Sequence, residues 1–335
     1  FGKLSGFVNG VLRSVAKGWQ TVEMPEKNTP EYLSVRYSHP LWIVKMWLSK
    51  YDFETVEKIC EANNCAPDVC ICVNTLKTSA GELKKMLEEK GISVKERIYE
   101  KNALHLKGIS NVAEMQEFKD GLFHVQDESS MLAVDVLDPA SNEKILDVCA
   151  APGGKSFYAA ERMGGVGRVV SCDIYPHKTE LISVTADRLG LGIIETRLRD
   201  ASVLNEDDRE KYDRVIIDAP CSGLGIIRKK PDIKINRTGE DIDSLIELQK
   251  RIIDASAECV KPGGLLVYST CTICKKENEM NFKYILERGD FEPEDISKNL
   301  PEALKEFSGG GCVQLLPGIN GTDGFFIAAA RKKAL

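Results

Sequence analysis

Two cysteines stand where short apolar runs end. Val215-Ile216-Ile217 leads into Asp218-Ala219-Pro220-Cys221-Ser222-Gly223, and Leu265-Leu266-Val267-Tyr268 leads into Ser269-Thr270-Cys271-Thr272. Short apolar runs rich in β-branched residues read as buried strands. Ligands of open parallel sheets bind outside the carboxyl ends of the strands, so both thiols can face one pocket. The chemistry this suggests is sulfur chemistry on a bound substrate.

A third run, Ile145-Leu146-Asp147-Val148, opens into Cys149-Ala150-Ala151-Pro152-Gly153-Gly154-Lys155-Ser156 and then a helical segment. Small residues and glycines at such a turn let backbone approach a ligand closely. The next strand ends at Asp173, 20 residues after Gly153, near the spacing of the carboxylate that binds ribose hydroxyls in nucleotide-binding βαβ units. The dinucleotide pattern G-x-G-x-x-G is absent and Pro152 occupies the turn. A nicotinamide or flavin therefore fits less well than another adenosine-bearing molecule. Asp200 and Asp218 follow the next two strands. One such Asp is ordinarily a helix cap, but three in succession describe the rim of one ligand pocket.

The elements that must position these groups follow from rhythm. From residue 126 the chain alternates strand, loop and long helix, with strands expected at 144–148, 167–172, 193–198, 213–218, 263–269 and 324–330. This reads as a doubly wound α/β sheet. Residues 54–125 read as a small α+β module: helix 54–63, strand 69–74, helix 79–90 ended by Gly91, strands 92–99 and 103–106, a short helix, and strand 121–125. Residues 1–20 read as the end of a helix, and 21–53 as a linker with an amphipathic segment around Trp42 to Leu48.

The chain has 335 residues, 43% of them hydrophobic, enough for one large core and a smaller one. No apolar stretch reaches membrane-span length and no signal-peptide pattern opens the chain. Eleven cysteines, an odd number, do not make a disulfide scaffold. A cytoplasmic monomer is expected. Cys60, Cys65, Cys70 and Cys72 lack the paired C-x2-C spacing of a zinc ribbon, and Cys70 and Cys72 alternate within a strand-like run. Core packing is the expectation for them, with no metal. Cys271 and Cys274 have redox-pair spacing, but nothing around them is thioredoxin-like. The net charge is −6, yet residues 1–50 carry seven Lys or Arg against three Glu. Arg228, Lys229, Lys230, Lys234 and Arg237 form a second basic stretch, opposed only by Asp232. Such a run is either a solvated face or, beside this pocket, a contact for nucleic-acid phosphate.

Taken in order, D-V-C-A-A-P-G-G-K-S, D-A-P-C-S-G and S-T-C-T closely resemble the motifs of the Sun/Nop family of RNA cytosine-C5 methyltransferases. The resemblance runs from about residue 126 to the end and includes Asp323-Gly324-Phe325-Phe326. Phe7-Val8-Asn9-Gly10-Val11-Leu12-Arg13 and Arg36-Tyr37-Ser38-His39-Pro40 resemble the bacterial branch that acts on small-subunit ribosomal RNA. The resemblance implies a Rossmann-like S-adenosylmethionine-dependent methyltransferase domain at 126–335, an RRM-like module at 54–125, and at 1–20 the last helix of a NusB-like RNA-binding domain. It implies that Cys149, Ala150, Ala151, Pro152, Gly153, Gly154 and Lys155 form the cofactor loop, with Asp173 on the ribose and Asp200 near the adenine. Cys271 matches the nucleophile, Cys221 the cysteine that releases product, and Asp218 the residue against the target base. Arg228, Lys229 and Lys230 would meet RNA phosphates.

Carbon 5 of cytosine reacts poorly with a methyl sulfonium. A thiolate added to carbon 6 moves electron density to carbon 5 and solves that problem. DNA cytosine methyltransferases attack with a Pro-Cys cysteine instead, and the second motif at Thr270-Cys271 favours the RNA type. Methylation of transfer RNA or another RNA also fits these motifs. A non-catalytic RNA-binding assembly role fits less well, since it would need neither paired thiols nor a cofactor loop.

Overall fold

The computed structural model describes residues 4–21, 23–95, 98–109 and 111–334. The chain divides into two compact units, Phe1–Cys60 and Glu61–Leu335. The first unit holds helices at Ser5–Gly18, Pro30–Arg36 and Leu41–Leu48. Pro30 opens its helix and the Thr29 hydroxyl accepts from Tyr32 N at 3.2 Å, a side-chain N-cap. The amphipathic segment expected around Trp42 is the third of these helices, with Ile43, Val44 and Trp47 buried. Helix Phe53–Asn63 runs across the division between the units. Residues 1–3 of the expected N-terminal helix lie outside the described residues.

The second unit contains two sheets. The smaller joins β1 (Val69–Val73), β2 (Val94–Lys95), β3 (Ala103–Leu106) and β4 (Phe123–Val125) in the order β2-β3-β1-β4, all antiparallel. Helices at Ala80–Glu89 and Gln116–Lys119 complete a βαββαβ pattern. Ser79 and Glu82 form a capping box at the start of the first helix. The strand expected at 92–99 is shorter, since only Val94–Lys95 pair with β3, and residues 96–97 lie outside the described residues.

The larger sheet follows the order β11-β12-β13-β9-β8-β5-β6-β7, and β10 pairs with β13. Its parallel part is β5 (Lys144–Asp147), β6 (Arg168–Asp173), β7 (Ile194–Leu198), β8 (Tyr212–Asp218) and β9 (Val260–Thr270). An antiparallel edge follows: β10 (Phe291–Pro293), β11 (Ser308–Gly309), β12 (Cys312–Leu315) and β13 (Phe325–Lys332). Successive strand residues feed opposite cores: Ile145, Val169, Ile216 and Val267 pack on one face, Leu146, Val170, Ile217 and Tyr268 on the other. Two buried faces explain why these strands are continuous apolar runs. Chain order reverses at β5, which lies between β6 and β8. The crevice past the carboxyl ends of these strands is where such sheets take ligands.

Candidate active site

Past β5 the chain turns through Val148–Gly153 into helix Gly154–Arg162. Gly153 has φ 109°, and a Cβ there would lie 2.3 Å from the Phe157 ring, so conformation and space both demand glycine. The Ala150 amide donates to Cys172 O at 2.8 Å, tying the turn to the end of β6. The Ala151-Pro152 peptide is cis.

A cavity of about 410 Å³ opens over these strand ends. It brings together Cys149, Ala151, Asp173, Asp200, Asp218, Cys221 and Cys271 from the expected site. Ala150, Pro152, Gly153, Gly154 and Lys155 do not line it; they shape the turn behind its wall, and Lys155 reaches Asp218. Asp173 is nearly buried, with Oδ1 accepting from Tyr175 N at 3.1 Å and Lys178 Nζ 3.6 Å from Oδ2. Asp200 accepts from the Ser202 hydroxyl at 2.7 Å and its amide at 2.9 Å, which hold the carboxyl below its ordinary range. Burial pushes the Cys149 thiol up, keeping it protonated.

At the other end of the cavity the Cys221 and Cys271 sulfurs are 3.3 Å apart. The hydrogen bond between them, and then burial, push the Cys221 thiol up. Asp218 is held on both oxygens, by Lys155 Nζ at 2.6 Å and by the Ser269 hydroxyl at 2.9 Å. The two cysteine loops are stitched together by backbone. Ala219 N donates to Ser269 O at 2.9 Å, and Gly225 N to Cys271 O at 3.0 Å. Gly324 N then donates to Gly225 O at 2.8 Å, and a Cβ on Gly225 would fall 2.0 Å from Gly324 O. This close approach accounts for the glycine in Asp323-Gly324-Phe325-Phe326; Phe325 lies under Lys155, 5.0 Å from its Nζ.

Beneath the loops lies a polar cluster that the sequence does not announce. Glu277 is fully buried and accepts from the Ser222 amide at 2.8 Å, the Ser222 hydroxyl at 2.5 Å and Gln249 Nε2 at 3.0 Å. Gln249 Nε2 also donates to Pro220 O at 2.9 Å, and Ser222 Oγ is 2.8 Å from Thr272 Oγ1. One carboxylate thus braces the residues flanking both cysteines. A charged residue in an otherwise polar Lys-Glu-Asn-Glu segment reads as solvent-facing, so nothing local could have singled out Glu277.

The basic stretch has an internal role. Arg228 Nε donates to Asp323 at 2.5 Å, and Lys229 Nζ bridges Asp127 at 2.8 Å and Asp323 at 2.6 Å. Asp323 is only 2% exposed. Burial opposes ionisation of Asp127, but Lys229 outweighs it and brings this carboxyl down to about 2. Of the three residues expected on RNA, Lys230 alone points to solvent without a carboxylate partner among the described residues.

The chain is similar to known proteins over nearly its whole length. Residues 134–331 match the family described as 16S rRNA methyltransferase RsmB/F. Residues 39–113 match the ferredoxin-like domain of RsmF/B-like methyltransferases. The chain is 43% identical to the probable ribosomal RNA small subunit methyltransferase B of Bacillus subtilis, over 98% of this chain and 74% of that protein. It is 34% identical to the ribosomal RNA small subunit methyltransferase B of Vibrio cholerae, over 99% and 73%. A solved methyltransferase homologue from Pyrococcus horikoshii superposes with a TM-score of 0.75 at 31% identity, covering 90% of this chain and 97% of that one. NSun6 from the same organism, solved with SFG, shares the fold at a TM-score of 0.77 and 22% identity, covering 92% and 98%.

Proposed function

The chain belongs to the RsmB/F family of rRNA methyltransferases that use S-adenosylmethionine, and from that premise we propose that it methylates carbon 5 of a cytosine in 16S ribosomal RNA through a covalent adduct on Cys271. The observation that carries this reading is the 3.3 Å approach of the two sulfurs at one end of a cavity whose other end is rimmed by Asp173 and Asp200. The residues fit the cofactor: a nearly buried carboxylate suits two ribose hydroxyls, and the turn at Gly153 brings backbone to the cavity wall. S-adenosylmethionine, when bound there, supplies an electrophilic methyl group.

Cys271 forms its bond to carbon 6 as a thiolate. Either sulfur can donate in the Cys221–Cys271 contact; as Cys271 adds to carbon 6 its proton passes to solvent, and the Cys221 S–H donates to the attacking sulfur. Asp218 lines the cavity and faces the base, with Lys155 behind it. The ring nitrogen that gains density during addition takes a proton relayed from the Lys155 ammonium through the Asp218 carboxyl, and the proton returns by the same path when the bond to Cys271 breaks. After methylation carbon 5 carries both a methyl group and a proton. Once Cys271 sulfur is bonded to carbon 6, Cys221 gives up its own proton to solvent; its thiolate then takes the carbon 5 proton, the carbon 5–carbon 6 double bond re-forms, and the bond to Cys271 sulfur breaks with its electron pair returning to sulfur. The target base must leave its stack for both faces to be reached, so single-stranded or loop RNA is the substrate form.

The test separates the cysteines. Cys221→Ala should attack and methylate, then remain attached to RNA through Cys271 as a species that survives denaturing electrophoresis. Cys271→Ala should give no such species and no methyl transfer. The reverse pattern would make Cys221 the attacking residue, and mapping the methylated nucleoside in 16S rRNA would overturn the reading if it is not 5-methylcytidine.

A further inference from the structure

Away from the active site, the helix that begins at Gly154 packs against the small sheet, and its Glu161 lies under β1 and β4. Cys72 and His124 are directly opposed in the register of those two strands. Their side chains meet Glu161 in a closed space. Cys72, His124 and Glu161 are 0%, 3% and 3% exposed. Cys72 Sγ is 4.0 Å from Glu161 Oε2, and His124 Nδ1 is 3.6 Å from Glu161 Oε1. All three ligand atoms lie within 4.8 Å of one another. His124 Nδ1 and Glu161 Oε1 have no hydrogen-bond partner although both are buried. Such groups are costly unless something occupies the space between them.

We propose that Cys72, His124 and Glu161 supply three ligands of a structural Zn²⁺ site, with a water as the fourth, that pins the helix of the cofactor loop to the small sheet. Bonds of about 2.0 Å to nitrogen and oxygen and about 2.3 Å to sulfur put tetrahedral ligand atoms roughly 3.3 to 3.7 Å apart. The 4.0 Å and 3.6 Å contacts to Glu161 lie within about half an ångström of those separations, and Cys72 and His124, no more than 4.8 Å apart, close by up to about 1.2 Å when the metal binds. A thiolate and a carboxylate neutralise a divalent cation, so the filled site brings no net charge into the interior. Filling it releases the Cys72 and Glu161 protons to solvent and leaves oxidation states unchanged.

The tautomer points the same way. His124 Nε2 is 2.8 Å from Gln126 Oε1, an oxygen that can only accept, so Nε2 carries the proton and the Nδ1 lone pair faces Cys72 and Glu161. Orientation of a ligating histidine through its other nitrogen is the usual support for such a site. A neighbouring trio shows the contrast. Cys70, His105 and Glu128 are also within ligand distance, but Glu128 already accepts from the amides of Ile98, Tyr99 and Glu100 and meets His105 Nε2 at 2.5 Å. Its oxygens have no capacity left for a cation.

The experiment uses the full chain without a metal-binding tag and carrying Cys221→Ala and Cys271→Ala, so that the active-site thiols cannot bind metal. After equilibration with Zn²⁺ and gel filtration, elemental analysis should find about one zinc per chain. Cobalt added to the stripped protein should give a thiolate charge-transfer band in the near ultraviolet, unchanged by Cys65→Ala and abolished by Cys72→Ala. Gln126→Ala should weaken zinc binding about 10- to 100-fold, the range for loss of such a supporting contact. The cobalt band requires no Cys72 variant to fold. Zinc below a tenth of an equivalent, or a cobalt spectrum without the thiolate band, overturns the proposal and leaves a protonated Glu161 as the occupant of the gap. A band that survives Cys72→Ala in folded protein overturns it equally.

Discussion

Glu277 offers a direct way to ask whether the cysteine loops are held by the cluster beneath them. It makes three short contacts, two to Ser222 and one to Gln249, and none to the cavity. Hydrogen bonds to a charged acceptor are worth about 1.5 to 3 kcal/mol each, and an orphaned buried donor costs about 1 to 3 kcal/mol. Glu277→Ala strands the Ser222 amide and one Gln249 donor, although Gln249 keeps its bond to Pro220 O. A loss of about 3 to 5 kcal/mol follows, because the contacts share partners and do not add fully. Glu277→Gln retains one acceptor and turns its amide toward the Ser222 hydroxyl, which can accept and pass its proton to Thr272 Oγ1; about 1.5 to 3 kcal/mol is lost. Urea denaturation measures both. Activity separates positioning from mere stability: kcat of folded Glu277→Gln should fall because the 3.3 Å sulfur contact loosens, while cofactor affinity by calorimetry stays within about twofold. Wild-type stability and kcat in Glu277→Gln would refute the argument, as would a fall in cofactor affinity equal to that in kcat.

Asp173→Ala should weaken S-adenosylmethionine binding by about 1 to 3 kcal/mol, and calorimetry showing no change would move the ribose elsewhere. Asp147 is fully buried under the cofactor turn, and burial raises its carboxyl to about 7. The folded chain therefore holds a proton that the unfolded chain loses near its ordinary value of 3.8, so stability should fall as pH rises from about 4 to 7, by up to about 1.4 kcal/mol per pH unit. Asp147→Asn should flatten that profile in cofactor-free protein, and parallel urea midpoints across this range would contradict the assignment. Arg228→Ala should cost roughly 1 to 3 kcal/mol by leaving buried Asp323 to Lys229 alone. Lys230→Ala should leave the melting temperature unchanged and flatten the salt dependence of RNA affinity by about 0.7 in log–log slope; an unmoved slope would make Lys230 a solvated residue.

The parallel strands were legible because burial on both faces turns each into an uninterrupted apolar run, as in Val215-Ile216-Ile217. Of the antiparallel edge only β13 was legible, as the strand expected at 324–330. β11 has two residues and β12 alternates half-buried and buried positions over only four. Helix Glu128–Leu137 is buried at nine of ten positions, so it carries no one-sided stripe to read. At the site, residue type and place after a strand were enough to bring Asp173, Asp200, Asp218, Cys221 and Cys271 to one cavity. The internal ion pairs of the basic stretch were hidden because Arg228 and Lys229 find their carboxylates about a hundred residues away in sequence. Glu277, and the trio Cys72, His124 and Glu161, are separated from their partners by long reaches of chain, and only the folded arrangement shows what they touch.

The contact of Gly225 with Gly324 has a consequence for how the enzyme comes into being. β13 lies between β9 and β12, and Gly324 immediately before it holds the Gly225 backbone that in turn holds Cys271. A nascent chain that has already released both cysteines from the ribosome lacks this clasp. Domains form as their chain emerges, yet here the Gly225 backbone gains its bond from Gly324 only after residue 324 and the strand behind it have emerged. A half-made copy therefore lacks the backbone clasp that ties the two cysteine loops to the strand after Gly324.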